Sequence, residues 1–436
     1  MKQTAKFIFI VLLYFIACKG EYKATSKPFA ERSANLDEYF SRLTQLHKFN
    51  GSVLLQKEGT VIISGTYNMK GDVPRSLKVS EHSQFDIHSI SKLMAQASVV
   101  KLEQKNLINR GDKLNKYIPD FPRGNEISIQ HLIDNQSGLP RRFSKKHKDL
   151  IKKTPEEVVA LIKEEKLLFE PGAESLYSNL GYQVLYFIIA KITKKPFVKY
   201  LDDEFFKPLN MNNTGAHFHL NKNNLKTYVQ NHEKDDGKIV VVSNIENDGK
   251  NQTKIYSSTN DLLKFINYVK QEPYRSAMKN SNNSIGWSGG GDGIFCHASA
   301  VLESDYEFVF FSNYDDIPFG EILSTVEKIM TNEKYELPKE INWKGITLKN
   351  STLEKYVGKY NVRAFNNDIF EFKLDRDSLV FYQNGERNTV VIPANDSTFF
   401  FEPKEPDHFK FRMTNSGEYQ LVFIHKNIEL RGNKID

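Results

Sequence analysis

The sequence contains little cysteine and carries little net charge. It has only 2 cysteines in 436 residues, Cys18 and Cys296, so a framework of several disulfides is excluded. The formal net charge is +6, and the 60 basic residues are scattered among 54 acidic ones, so the sequence disfavours nucleic-acid binding. The 11 histidines are dispersed, with no carboxylate or cysteine at ligand spacing, and no metal site is predicted.

Hydrophobic runs long enough to span a membrane are also missing at the N-terminus. The apolar run at residues 7–17 is shorter than the roughly 20 residues that cross a bilayer, and Lys2 and Lys6 precede it. This pattern predicts a signal peptide over residues 1–17. The four residues that end at Cys18 resemble a bacterial lipobox, so we expect an exported bacterial lipoprotein, held to the cell envelope by a lipid at Cys18. A plain signal peptide followed by an incidental cysteine is the alternative.

The chain is longer than one hydrophobic core usually serves, which predicts two folded units. Residues 18–35 are polar and aperiodic, as in a tether, and globular patterning starts near Leu36. Two β-rich runs within residues 51–63, joined by a Lys-Glu-Gly turn, predict a hairpin. Helices are predicted over residues 89–104, with an apolar stripe at spacings of three and four, over residues 180–192 and over residues 261–269.

The C-terminal part of the sequence has a different pattern. After a boundary at about residues 335–350, short strand-like runs alternate with turns that contain Asp, Asn or Gly. Six runs are predicted as strands: residues 369–374, 378–383, 389–392, 399–402, 409–413 and 420–424. Strands at this spacing predict a small antiparallel barrel or a sandwich.

Ser89 and Lys92 form the tetrapeptide S-x-x-K, in which a helix would place both side chains on one face. A serine that opens a helix lies at the positive end of the helix dipole, which favours negative charge on its oxygen. The same pattern occurs at residues 98–101 and 276–279, so it proves little alone. Only Ser89 follows an extended segment, residues 85–87, and immediately precedes a helix. It is therefore the candidate nucleophile.

In this setting the sequence resembles the superfamily of serine β-lactamases, D-alanyl peptidases and β-lactamase-like esterases. The likeness runs in order over residues 36–330, through FDIHSISKLMAQ, HLIDNQSGLP and FEPGAESLYSNLGYQVL. It implies an α+β fold of the β-lactamase/transpeptidase type for residues 36–335, with a sheet flanked by helices and a helical region. Residues 350–436, which contain LEKYVGKY, resemble the lipocalin-like β module that often follows this domain.

The resemblance also assigns roles around the cleft. Tyr177, in the segment YSN, would exchange protons with the nucleophile and the leaving group, and Asn179 would hold the substrate amide or the lysine. Lys92 would lower the cost of ionising Ser89 or Tyr177. Whether Lys92 or Tyr177 takes the first proton stays open, because coupled groups share their titration. The same Y-x-N pattern at Tyr382 predicts only a strand followed by an Asn-Gly turn.

The third element departs from the penicillin-recognising pattern. Where K-T-G or H-x-G is usual, this sequence has GWSGGGDG, with Trp287 in the cationic position. The resemblance implies that Trp287, Ser288, Gly289 and Gly290 bind substrate. It also implies that the N–H groups of Gly290 and Ser89 form an oxyanion hole.

Replacement of the cation by Trp287 bears on the substrate. It removes the partner of a β-lactam or peptide carboxylate, which favours uncharged esters or amides unless Arg141 or Arg142 compensates. We therefore expect a serine hydrolase that forms an acyl-enzyme on small ester or amide substrates and needs no cofactor. Two alternatives stay open: a D-alanyl-peptide peptidase or β-lactamase, and a catalytically idle lipoprotein that binds a surface partner.

Overall fold

The computed structural model describes residues 27–435 except 146, 148–149, 217–226, 236, 243–252, 364–367, 416 and 426–427. The expected signal peptide and Cys18 lie outside the described residues. The helices are α1 Lys27–Gln45, α2 Ile90–Gln104, α3 Ile129–Ile133, α4 Pro155–Ile162, α5 Asn179–Thr193, α6 Phe197–Leu201, α7 Thr259–Val269, α8 Tyr274–Met278, α9 Phe319–Thr331 and α10 Asn350–Leu353.

The strands belong to one large sheet, two small sheets and a barrel. Those of the first part of the chain are β1 Gly51–Lys57, β2 Thr60–Tyr67, β3 Phe85–Asp86, β4 Gly215–Ala216, β5 Asn231–Asp235, β6 Lys238–Val242, β7 Ile255–Ser257, β8 Ser284–Gly291, β9 Ile294–Val301 and β10 Tyr306–Ser312. Those of the C-terminal part are β11 Gly358–Val362, β12 Asp368–Asp375, β13 Ser378–Gln383, β14 Glu386–Pro393, β15 Thr398–Phe400, β16 His408–Met413, β17 Tyr419–His425 and β18 Ile428–Lys434.

The large sheet is antiparallel, in the order β2-β1-β10-β9-β8, and is covered on both faces. Alternate residues of its strands enter different cores, because successive side chains of a strand point to opposite faces. Val53 and Leu55 pack in the core that contains residues of α1 and α9, whereas Leu54 packs in the larger helical core with residues of α2, α5 and α7. The predicted hairpin is confirmed. Its turn places both Glu58 and Gly59 at positive φ, as a tight two-residue turn requires.

Helix α2 crosses the middle of the helical core. The prediction of a helix here is confirmed. The buried surface is wider than the expected apolar stripe, because 11 of the 15 residues of α2 are buried. Polar residues such as Ser91 and Ser98 are among them. The predicted helices at residues 180–192 and 261–269 correspond to α5 and α7, and Ser258 caps α7 by accepting from the Asp261 N–H.

The C-terminal strands close into an eight-stranded antiparallel barrel, β11 to β18. All six predicted strands are present, and β11 and β18 join each other through Tyr360 and Asn361 to complete the ring. Aromatic rings pack against one another within its core, including Phe372 and Phe409 at 5.0 Å. Of the two predicted architectures for this unit, barrel and sandwich, the structure has the barrel. The predicted α+β fold followed by a small all-β unit is confirmed.

The structure also bears on two predicted boundaries, the start of the first helix and the connection between the two units. Helix α1 begins at Lys27, inside the segment 18–35 that was expected to be a tether. This segment is polar because the helix buries mainly its later turns, at Leu36 and Phe40. Residues 333–349 form neither helix nor strand and connect the two units. In the described part of the chain, none of the helices combines the length and apolar character needed to cross a membrane.

Candidate active site

Ser89 stands at the N-terminal end of α2, immediately before its first residue, Ile90. The residue before it, His88, has a φ of 42°, so the chain turns sharply from the extended segment into the helix. The other two S-x-x-K serines lie in different settings. Ser98 is buried and donates to the Met94 carbonyl of its own helix, and Ser276 donates to Glu272 on the surface.

Lys92 Nζ donates to Ser89 Oγ over 2.9 Å. The lysine is only 5% exposed and also lies 5.0 Å from the centroid of the Tyr177 ring. Burial, together with the positive charge of Arg141, lowers the pKa of Lys92 to about 7. No carboxylate lies within ion-pair distance of Lys92 among the described residues to reverse this shift, so the amine is poised to accept a proton near neutral pH.

The hydroxyl of Tyr177 lies 2.6 Å from Ser89 Oγ, although 88 residues separate them in the chain. Burial raises the pKa of Tyr177, whereas its hydrogen bond with Ser89, the charge of Arg141 and the indole of Trp287 act in the opposite direction. Ser89, Lys92 and Tyr177 therefore meet at one point. Together they form a hydrogen-bonded group in which a proton can leave the serine.

Asn135 holds the segment that precedes α5, in which Ser178 is extended. Asn135, at a φ of 57°, accepts from the Ser178 N–H through its side chain and from the Leu176 N–H through its carbonyl. Ser178 in turn caps α5 by accepting from the Gly181 N–H at 2.9 Å. The positioning role of Asn135 was missed by sequence reasoning. The available signal was the residue type, because asparagine is one of the non-glycine residues enriched at positive φ.

Asn179 is the first residue of α5, and its N–H donates to the Arg141 carbonyl at 3.3 Å. Its side chain makes no hydrogen bond to Lys92 or to any other described residue. Of the two roles expected for Asn179, contact with the lysine is therefore not formed, and contact with a substrate is the one that the geometry allows.

Strand β8 is an edge strand, so one of its two edges is free of sheet pairing. Trp287 packs against the helical core, with its ring 5.7 Å from Tyr182 and 6.4 Å from Tyr177. Ser288 points to the opposite face, where it is 2.8 Å from His297 Nδ1. The side chain of Ser288 is therefore not part of the group at Ser89, and only its backbone can reach the cleft side.

Gly289 lies against the nucleophile segment. A Cβ at this position would fall 2.5 Å from the Ile87 carbonyl oxygen and 3.1 Å from the Ser89 nitrogen. At Gly290 a Cβ would instead meet the Phe295 ring, at 3.1 Å. The strand thus brings main-chain atoms of Gly289 next to the main chain at Ile87 and Ser89.

Arg141 lies beside this group, and Arg142 does not. The Arg141 guanidinium carbon is 5.3 Å from the centroid of the Tyr177 ring, and Arg142 is exposed. Among the described residues, no three His, Cys, Asp or Glu side chains come together as a possible metal site.

The partly buried Ser89 contacts a lysine one helical turn later and a tyrosine from a distant loop, beside a glycine-bearing edge strand. This is the arrangement that the resemblance to the serine β-lactamases and D-alanyl peptidases implies. A model of the β-lactamase family matches residues 36–298, more than half of the chain. The chain belongs to this family of hydrolases.

Individual relatives agree with this assignment. The chain is 24% identical over 420 residues to penicillin-binding protein 4* of Bacillus subtilis (strain 168), covering 84% of this chain and 91% of that protein. Among solved structures, the octameric penicillin-binding protein homologue from Pyrococcus abyssi superposes with a TM-score of 0.59 at 17% identity, covering 91% of this chain and 99% of the other. FmtA from Staphylococcus aureus superposes with a TM-score of 0.58 at 18% identity, covering 71% and 89%. The likeness to these structures is one of fold.

Proposed function

We propose that the protein is a serine hydrolase that acts on small ester or amide substrates through an acyl-enzyme on Ser89. The observation that carries the proposal is the double hydrogen bonding of Ser89 Oγ, to Lys92 Nζ at 2.9 Å and Tyr177 Oη at 2.6 Å. A protein that only bound a partner would gain nothing from burying a lysine without a counter-charge beside a serine, since such burial is costly.

The reaction has two halves. In the first, Ser89 Oγ attacks the carbonyl carbon as its proton passes to the Lys92–Tyr177 pair, and the N–H groups of Ser89 and Gly290 stabilise the oxyanion. The carbon–oxygen or carbon–nitrogen bond then breaks, and the leaving group takes up that proton. In the second, water attacks the acyl-enzyme by the reverse sequence, which releases a carboxylic acid and restores the Ser89 hydroxyl.

Covalent labelling tests the nucleophile. A fluorophosphonate probe should label Ser89, as located by mass spectrometry of the digested protein, and Ser89→Ala should lose both labelling and hydrolysis. Ser98→Ala is the matched control, because it removes the serine of the second S-x-x-K and should retain both. If Ser89→Ala keeps full hydrolytic activity, the proposal is wrong.

The proposed proton-transfer role of Tyr177 can be tested against a second tyrosine in the same sequence motif. Tyr177→Phe should lower kcat by about 100-fold or more, because a positioned proton donor contributes roughly 10²–10⁴-fold. Tyr382→Phe changes the second Y-x-N, on barrel strand β13, and should retain wild-type kcat. Equal losses in the two variants would contradict a catalytic role for Tyr177.

A second candidate is a peptidase or β-lactamase that acts on cell-wall-type substrates, and the name of the Bacillus subtilis relative favours it. Nitrocefin, a D-Ala-D-Ala peptide and a short-chain nitrophenyl ester should be compared on one preparation. A clear preference for the ester supports the proposal, and a clear preference for either of the other two replaces it. Absence of turnover and of labelling with every compound would instead indicate a binding protein.

We also propose that the protein is exported and anchored to the membrane through a lipid on Cys18. The support is the short apolar run after Lys2 and Lys6, ending at Cys18. In the native host, the protein should partition into detergent and incorporate labelled palmitate, and Cys18→Ala should abolish both. A wild-type protein that stays in the aqueous phase would contradict the anchor.

A further inference from the structure

Arg141 lies beside the Ser89 group and is linked to it through Tyr177 and Asn179. Its guanidinium carbon lies 5.3 Å from the centroid of the Tyr177 ring, and its carbonyl accepts from the Asn179 N–H. Tyr177 in turn touches Ser89 through its hydroxyl. The cation therefore lies next to the tyrosine that contacts the candidate nucleophile.

The charge of Arg141 is not paired by the protein. Its Nε is buried and has no hydrogen-bond partner, and no carboxylate lies within 4.0 Å of its guanidinium in the part of the chain that the structure describes. Asp368, on the barrel, is the acidic group whose charge acts on Arg141 from a greater distance. The oxygens of Asp368 already accept from Gln383 and Asn384, at 2.7 and 3.0 Å.

An unpaired, half-buried guanidinium is an unfavourable arrangement unless an anion joins it. Its planar group of N–H donors matches the two oxygens of a carboxylate. Lys92 cannot serve this purpose, because its amine is engaged with Ser89. The usual cationic position of the third motif is occupied by Trp287, which packs against Tyr182 instead. Among the described cations near Ser89, Arg141 is thus the one that has donors available for a substrate.

We propose that Arg141 binds a carboxylate of the substrate, so that the preferred substrates are esters or amides that carry a carboxylate close to the scissile bond. This inference rests on the proposed function and changes one part of it. The absence of a cation at residue 287 does not make the site selective for uncharged substrates, because Arg141, on the loop that follows α3, supplies a cation beside Tyr177.

The test compares substrates that differ only in a carboxylate. One pair places it on the acyl group, as in 4-nitrophenyl hemiglutarate and 4-nitrophenyl butyrate. The other places it on the leaving group, as in phenylacetylglycyl esters of 3-hydroxybenzoate and of phenol. The wild type should prefer the charged member of at least one pair in kcat/KM. Arg141→Gln should lower that preference by about 30-fold or more, mainly through KM, since a desolvated charge pair contributes this much.

The preference is a ratio within one variant, so a general effect of Arg141 on the Lys92–Tyr177 pair cancels. Arg142→Gln is the matched control, because it removes the neighbouring, exposed guanidinium, and it should keep the wild-type preference. Arg141→Lys, which retains charge without the planar donors, should recover part of it. A wild type without preference in either pair, or an Arg141→Gln variant that loses both members equally, would overturn the inference.

Two further measurements separate this inference from the proposed function. Fluorophosphonate labelling of Ser89 in Arg141→Gln reports an intact site, and an unlabelled wild type would contradict the proposed function itself. Should Arg141→Gln fail to fold, inhibition of the wild type decides: 3-hydroxybenzoate or glutarate should compete better than phenol or butanol. If both neutral compounds inhibit as well as the carboxylates, Arg141 does not bind a carboxylate.

Discussion

Lys92 Nζ lies 2.9 Å from Ser89 Oγ, one helical turn away on α2, and is almost completely buried. The contact joins the Ser89 hydroxyl, which must lose a proton in the proposed reaction, to the Lys92 amine, whose charged form is disfavoured by its surroundings. Because burial and Arg141 together lower the pKa of Lys92 to about 7, its neutral form is accessible at physiological pH. The pair therefore predicts both a pH dependence of activity and a cost in stability.

Activity towards a neutral ester should rise through about pH 7 and then level off. Lys92 carries a proton below its lowered pKa and is neutral above it, so the base form accumulates as pH rises. Arg141→Gln removes a positive charge near Lys92, so the rise in activity should occur at higher pH in this variant. The measurement is kcat/KM between pH 5 and 9 at constant ionic strength. If kcat/KM of the wild type still rises steadily up to pH 9 without levelling off, the lowered pKa of Lys92 is contradicted.

Lys92→Met should stabilise the protein while abolishing hydrolysis. Because the folded pKa of Lys92 is lowered to about 7, the unfolded chain binds more protons than the folded chain between about pH 7 and 10.5, so burial of the lysine destabilises the fold almost fully at pH 7 and less as the pH rises. Methionine fills a similar volume without this cost, so the free energy of unfolding at pH 7 should rise by about 1–3 kcal/mol. Lys78→Met, on the exposed surface, is the control and should change it little. Urea unfolding measures both, and a destabilised Lys92→Met would contradict the prediction.

Gly289→Ala should abolish activity, whereas Gly290→Ala should retain most of it. The new Cβ at residue 289 would meet the Ile87 carbonyl and the Ser89 nitrogen, which are main-chain atoms that cannot yield without moving the nucleophile. At residue 290 it would press on the Phe295 ring, which can shift, and the proposed oxyanion donor N–H is kept. Kinetics with a neutral ester, together with circular dichroism, check this. Equal activity in the two variants would contradict the close approach of β8 to Ser89.

The protein should lose stability in acid partly through His297. Burial lowers the pKa of His297 to about 4, where its two ring nitrogens lie 2.8 Å from Ser288 and from Ser299. Between about pH 6.5 and 4 the unfolded chain binds the extra proton, so stability falls as pH falls through this window, by about 2 kcal/mol. Urea unfolding from pH 4.5 to 7 should show a shallower pH dependence in His297→Gln. The exposed His82→Gln should behave as wild type, and identical slopes in all three proteins would refute the assignment.

Local patterns predicted the elements that surround the site. Apolar spacing indicated α2, α5 and α7, the Lys-Glu-Gly turn indicated the first hairpin, and the extended segment before Ser89 distinguished its S-x-x-K from two copies. These features depend on residues close together in the chain. Apolar residues at every second position indicate the buried face of a strand, and apolar residues three to four positions apart indicate the buried face of a helix. Neither pattern depends on where the partner element lies.

The sequence alone therefore indicated three of the ten described helices, the first hairpin, six of the eight barrel strands and the choice of Ser89 as the candidate nucleophile, because each depends on local backbone geometry and on burial of one face. Only the tertiary structure decided that Tyr177 reaches Ser89 from 88 residues away, that eight strands close into a barrel, and that Arg141 rather than Arg142 lies against the Tyr177 ring. Adjacent arginines are indistinguishable by type. Which of them is desolvated depends on the packing of a distant tyrosine, and no local pattern contains that information.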